Sequence, residues 1–171
     1  MRMSLSHSQG FPSSASAGFT LLEVLVTVLV LSIGLLGLAG LQTAGLRSGQ
    51  SAAQRSAATQ LAVDIIDRVR ANPLAKDQYA ANAAGSDDCL GIACTPEQMA
   101  GYDLAQWTAA LAAQLPSGEG TVCKDSSPND GTPGSPACDD GGNTFAVKIW
   151  WDDQRTGDPE KFQLFATSFQ P

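Results

Sequence analysis

Gly18-Phe19-Thr20-Leu21-Leu22-Glu23 opens the 28-residue run FTLLEVLVTVLVLSIGLLGLAGLQTAGL, which fills positions 19–46. Glu23 is the only ionisable side chain in that run. A helix of about 20 apolar residues crosses a bilayer core, so the run is long enough to span one. A carboxylate in such a setting is costly, roughly 2.5–3.5 kcal/mol at mid-span on insertion scales, which marks Glu23 as a functional-site candidate. An ordinary secretory signal has an apolar core of about 7–15 residues that ends at a small-residue cleavage site. Here the run is longer, and the small residues (Ser13, Ser14, Ala15, Ser16, Ala17, Gly18) come before it.

Outward from this stretch, residues 19–70 read as one long helix with two halves. The first half is apolar all round. In the second, Leu61, Ile65 and Val69, with Ala58, Ala62 and Ile66 offset, fall at i, i+3 and i+4 spacings and define one apolar face. Asp64 and Arg68 form an i, i+4 acid–base pair on the polar side. Asn72-Pro73 ends the helix, because a residue before proline is pushed out of the α region. At 1.5 Å rise per residue, such a helix measures about 78 Å, far more than a membrane anchor needs. Gly34, Gly37, Gly40, Gly45 and Gly49 punctuate it, each at a cost of about 1 kcal/mol relative to Ala. Small residues permit close helix approach in lipid, and they also weaken a helix locally; both readings stay open.

The chain has 171 residues, which bounds it to one small domain plus extras. About 100 residues remain for a globular head once the helix is set aside. All four cysteines (Cys89, Cys94, Cys123, Cys138) follow the apolar run. An even number in a loop-rich exported head indicates two disulfides. Of the three pairings, Cys89–Cys94 with Cys123–Cys138 is favoured, since each closes a short local loop. A four-thiolate zinc site is disfavoured because no C-x2-C pair is present. From Ala71 onward the chain has 5 basic and 14 acidic residues, a charge of −9. No nucleic-acid role is expected of such a surface, since phosphate contacts need clustered Lys or Arg.

Within the head, 74–95 reads as an ordered loop. Thr95-Pro96-Glu97-Gln98 is a helix start, with Thr95 as N-cap, Pro96 at N1 and Gln98 completing a capping box. Leu104, Trp107, Leu111 and Leu115 follow at helical spacing, with Trp107 as core, and Pro116 and Gly118 stop the helix. Residues 117–143 form a Gly-, Pro-, Ser- and Asp-rich loop, in which Thr121 and Val122 are candidates for a strand. Residues 144–151 alternate, with Phe145, Val147, Ile149 and Trp151 on one face, and 162–169 form a second aromatic-rich run. The segment 152–160 connects them as a hairpin. The expected head is an antiparallel sheet packed on the upper helix, so the fold class is α+β.

The hexapeptide and the apolar run behind it resemble the processing site of type IV prepilins and the related secretion pseudopilins. The resemblance implies a cut after Gly18 by a prepilin peptidase, N-methylation of Phe19 by the same enzyme, and use of Glu23 in assembly, with Thr20 adding a helix-start hydroxyl. Glu23 is then expected to meet the methylated amine of Phe19 in a neighbouring subunit. It also implies the type IV pilin fold, divided into a leader (1–18), a transmembrane and assembly half-helix (19–46), an amphipathic half-helix (47–72) and a disulfide-containing extracytoplasmic head (73–171). Many members carry Lys or Arg just before the Gly, and this chain does not.

Arg68-Val69-Arg70-Ala71-Asn72-Pro73, Trp107 with Leu115-Pro116, and Val147-Lys148-Ile149-Trp150-Trp151-Asp152 resemble the minor pilins of the PilV type (type IV pilus modification protein). That likeness implies a low-abundance subunit incorporated into the pilus or priming its assembly. Its partners would be other minor and major pilins, a pilus-tip adhesin and an inner-membrane assembly platform. Its location would be the inner membrane, single-pass with a periplasmic head, and the pilus surface after assembly. Two alternatives stand beside it: a minor pseudopilin of a type II secretion system, and a membrane-anchored extracytoplasmic binding domain. No enzymatic role is expected. The only histidine, His7, lies in the leader, which excludes nucleophile schemes that need an imidazole in the processed chain. Asp125, Asp130, Asp139 and Asp140 lack the spacing of a calcium loop and read as a solvated acidic loop, as Asp152-Asp153 reads as turn chemistry. No metal or cofactor is called for.

Overall fold

The structure, a computed structural model, describes residues 18–81, 85, 89–91 and 93–171. The leader up to Ala17, His7 included, and parts of the 82–92 stretch lie outside the described residues. Helix α1 runs Leu21–Ala71 and stops one residue before Asn72-Pro73. After a 3-10 turn at Pro73–Ala75 come α2 (Lys76–Ala80), α3 (Pro96–Gln114), β1 (Glu119–Lys124), β2 (Phe145–Trp151), a second 3-10 turn at Pro159–Lys161, and β3 (Gln163–Phe169). The chain divides into two units, residues 1–45 and 46–171. In the first, the described part of α1 buries no side chain.

The second unit holds the core. Ala58, Leu61, Ala62, Ile65, Ile66 and Val69 are the buried residues of α1, the same six positions that its sequence spacing places on one face. They join Trp107 and Leu111 of α3 and Val122, Phe145, Val147, Ile149, Trp151 and Phe169 of the sheet in one cluster. The sheet is antiparallel, ordered β1-β2-β3, with Val147 opposite Val122 on one side and Thr167 on the other. Helix α3 begins where its capping box predicts: the Thr95 side chain accepts from the Gln98 N–H at 3.3 Å, and Gln98 Oε1 accepts from the Thr95 N–H at 2.9 Å. Gly120 of β1 lies under Trp107, and a Cβ there would come within 2.6 Å of the indole ring. The missing side chain is what lets the indole reach the α1 backbone, where its N–H donates to Leu61 O at 2.9 Å.

Polar contacts join the end of α1 to α3. Arg68 bonds Asp64 at 3.0 Å and Asp103 at 3.1 Å, so the local i, i+4 pair is extended into a tertiary one. Tyr79 donates its hydroxyl to Asp103 at 2.6 Å, and Asn72 donates its side-chain amide to Pro96 O at 2.7 Å. Burial first, then the hydrogen bond to Asp103, raises the Tyr79 phenol above its ordinary range. These contacts correct the reading of 74–95 as a loop throughout. Residues 76–80 form a helical turn because it carries Tyr79, fully buried, into the core beside Asp103. That gain is tertiary, and no local periodicity signals it.

The acidic loop needs a second correction. All seven residues of β2 are buried, including Ala146, Lys148 and Trp150 on the face away from the core cluster. The loop between β1 and β2 covers that face. Lys148, with no exposed surface, bonds the equally buried Asp125 at 2.5 Å, Asp130 at 2.8 Å and the Pro136 carbonyl at 2.7 Å. Trp150 donates its indole N–H to Gly131 O at 3.3 Å. Asp125 and Asp130 are therefore counter-charges to a strand lysine. Asp139 shapes the loop by accepting from the Ser126 hydroxyl and the Gly141 N–H. Cys123 and Cys138, 6.2 Å apart at Cα, are joined across the base of this loop, and Cys89 and Cys94 are joined at 5.5 Å.

Removing one member of a buried ion pair strands the other charge, a loss of about 3–5 kcal/mol. Lys148→Met should lower unfolding stability by that amount in urea titrations followed by tryptophan fluorescence, and Lys148→Met with Asp125→Leu should recover most of it. Burial opposes the charged form of both partners, but the hydrogen bonds between them prevail, so the Asp125 carboxyl lies below its ordinary value and Lys148 above. Asp152 is held low by the Gly157 N–H, and Asp139 by Ser126. A lowered carboxyl stabilises the fold above its unfolded value, about 3.9, and that contribution is lost as pH falls through the lower folded value. A raised lysine stabilises below about 10.4 and loses its contribution as pH rises through the folded value. The urea midpoint should therefore stay level between about pH 5 and 9 and fall below about pH 4.

Candidate assembly site at the start of the amino-terminal helix

Gly18, Phe19, Thr20 and Glu23 lie together around the first turn of α1, and all four are exposed. Thr20 immediately precedes the helix and caps it. Its carbonyl accepts from the Glu23 N–H at 3.0 Å and the Val24 N–H at 3.3 Å, and its hydroxyl oxygen accepts from the Glu23 N–H at 3.3 Å. The Thr-x-x-Glu spacing is that of a capping box. The first N–H groups of a helix have no partner within it, so this hydroxyl fixes where the helix starts and where Glu23 stands. A carboxylate in the first turn also meets the positive end of the helix dipole.

The other polar groups of the run are largely self-satisfied. Thr27 donates its hydroxyl to Val24 O at 2.8 Å, Ser32 to Val28 O at 2.7 Å and Thr43 to Gly40 O at 2.8 Å. This arrangement suits a helix in hydrocarbon, where no water can take up an unused donor. Among the described residues, the Glu23 carboxylate has neither an ion pair nor a hydrogen bond. It is the one charge of the run, and no described residue supplies it with a counter-charge.

The apolar surface around it is equally unpartnered. Phe19 is 82 % exposed, Leu21 83 % and Leu36 74 %, and the large apolar side chains up to Leu46 are likewise exposed. Soluble monomers rarely expose contiguous apolar patches beyond a few hundred Å². The helix is long and apolar enough to cross a membrane. At Gly34, Gly37, Gly40, Gly45 and Gly49 an added Cβ would meet nothing within 4 Å. Among the described residues, no contact requires those five positions to lack a side chain.

The cysteines contribute framework. Cys123, Asp125 and Cys138 bring their ligand atoms close together, but both sulfurs are in the disulfide, which leaves no thiolate for a metal. Sequence reasoning missed Lys148 as the organiser of the covering loop. The signal was present as a single lysine inside the apolar strand FAVKIWW, at a position whose alternation points away from the core face.

The prokaryotic N-terminal methylation motif matches residues 13–39, and the Tt1218-like family, described as type IV pilin Tt1218, matches residues 40–105. The two matches adjoin, covering the hexapeptide, all of α1 and the first part of α3. No curated protein and no solved structure matches the chain. The methylation motif implies processing by prepilin peptidase, and the apolar helix behind it is consistent with a membrane or pilus location. Type IV pilins are structural subunits and not enzymes. With its long apolar amino-terminal helix and small three-stranded antiparallel sheet, the chain is a type IV pilin-like protein of α+β fold that carries the N-terminal methylation motif.

Proposed function

We propose that this chain is a minor pilin of the PilV type, cut after Gly18, N-methylated on Phe19, and built into the type IV pilus or used to prime its assembly. Before assembly, residues 19–46 hold it in the inner membrane, with residues 73–171 as a periplasmic head. Prepilin peptidase acts on it first. Other minor and major pilins, a tip adhesin and the inner-membrane assembly platform are its later partners. The observation that carries this reading is the Glu23 carboxylate, alone in an apolar run and without a counter-charge among the described residues. In low dielectric an unpaired charge costs several kcal/mol, and an opposite charge on a neighbour offsets that cost only in the correct register. The methylated amine of Phe19 in an adjacent subunit is that opposite charge, which makes subunit entry selective for one axial offset.

Two experiments test the reading. Intact-mass and amino-terminal analysis of membrane-extracted protein should show a chain that begins at Phe19 with one added methyl group; a chain that retains residues 1–18 overturns the cut. Glu23→Ala should be processed and retained in the inner membrane while its level in sheared pili falls at least tenfold, which corresponds to about 1.4 kcal/mol in an assembly equilibrium. Assembly at the wild-type level would remove the pairing role. Gene deletion separates pilus use from secretion use: loss of surface pili and twitching supports the minor pilin, and loss of enzyme export with normal pili supports a minor pseudopilin.

A further inference from the structure

The head is strongly acidic, yet among the described residues four cations in and beside it, Arg47, Arg55, Lys76 and Arg155, form no ion pair. Among the described residues, Lys124 pairs with Asp77, Lys148 with Asp125 and Asp130, Lys161 with Asp158, Arg68 with Asp64 and Asp103, and Arg70 with Asp67. Arg55 donates to Gln163 at 3.0 Å. Arg47 and Arg155 form no ion pair with any described acid, and they line the same open groove. Gln50 and Gln154 complete its polar wall, and Asp153 stands in it as the single acid.

The connection after β2 is built to present Arg155. Asp152 is 2 % exposed; its N–H donates to Pro116 O at 2.8 Å, and its carboxylate accepts from the Gly157 N–H at 2.6 Å. Arg155 sits between these anchors with φ of 54°. A left-handed backbone at a non-glycine residue is held only where its surroundings impose it. Arg47, for its part, directly follows Leu46 and is the first ionisable residue after Glu23.

We infer that the groove between Arg47 and Arg155 binds the phosphate of an anionic phospholipid in the periplasmic leaflet of the inner membrane. This rests on the reading that residues 19–46 lie in that membrane, since the first charge after a span stands at the headgroup layer. Guanidinium groups pair with phosphate oxygens through two parallel hydrogen bonds, and two of them suit one phosphodiester. A head of charge −9 is repelled by an anionic surface. A local pair of free arginines is the feature that lets this head rest there before extraction into a filament.

The test uses the full chain, purified in detergent with its disulfides intact. Native mass spectrometry should show phosphatidylglycerol retained at least fivefold over phosphatidylcholine, the factor expected of even one arginine near an anionic surface. Arg47→Gln with Arg155→Gln should bring the two lipids to parity. Lys76→Gln, which removes a cation outside the groove, should leave the preference intact. Millimolar inorganic phosphate should not displace the lipid; displacement would show a free-anion site and overturn the lipid assignment. Equal phosphatidylglycerol retention by the double variant would overturn the groove. Vesicle flotation separates the two levels of the argument: if wild type and variants all float, the span reading stands and the lipid ratio decides the groove alone. If wild type fails to float, the membrane reading itself fails.

Discussion

A helix can satisfy its own backbone but not its own surface. That constraint governs this protein. The apolar start of α1 closes its hydrogen bonds internally, and its hydroxyls fold back onto carbonyls one turn away. Its large side chains nevertheless stay exposed, its glycines meet nothing, and its one carboxylate has no partner among the described residues. Such a surface is stable only in lipid or against other helices. A bilayer and a bundle of like helices are two settings that meet this one demand, and the function proposed above joins them through Glu23.

The second unit solves the opposite problem. A head of this size has little apolar area to bury, so each layer is used. One face of the sheet shares its core with the second half of α1 and with α3. The other is covered by a loop that could not form a core of its own. Lys148, Asp125 and Asp130 hold that loop down, and the Cys123–Cys138 bridge closes its base. A buried ion pair adds little net stability beside an apolar replacement, but breaking one side of it is costly. Its value here is placement, because it fixes which loop residues lie over β2.

Much of this was legible in the residues. The apolar face of α1, the stop at Asn72-Pro73, the capping box at Thr95, the buried Trp107 and the strands around Phe145 and Phe165 all follow local rules of period and turn chemistry. The helical turn around Tyr79 did not, because its reason is a hydrogen bond to Asp103, which is distant in sequence. The role of Asp125 was likewise hidden. An aspartate in a Gly- and Ser-rich loop looks solvated until a lysine from another strand is placed beneath it.

The sequence alone determined that this chain carries a long apolar helix marked by one carboxylate, and that an acidic, cysteine-bearing α+β head follows. Those features depend on residue spacing and on the cost of exposing or burying particular side chains, both of which are local. Only the tertiary structure decided that β2 is buried on both faces, that Arg68 reaches across to Asp103, and that Arg47 and Arg155 share a groove. Each depends on residues between 12 and 108 positions apart meeting in space. No local period encodes such a meeting; it emerges when the core closes and fixes which surfaces are left facing one another.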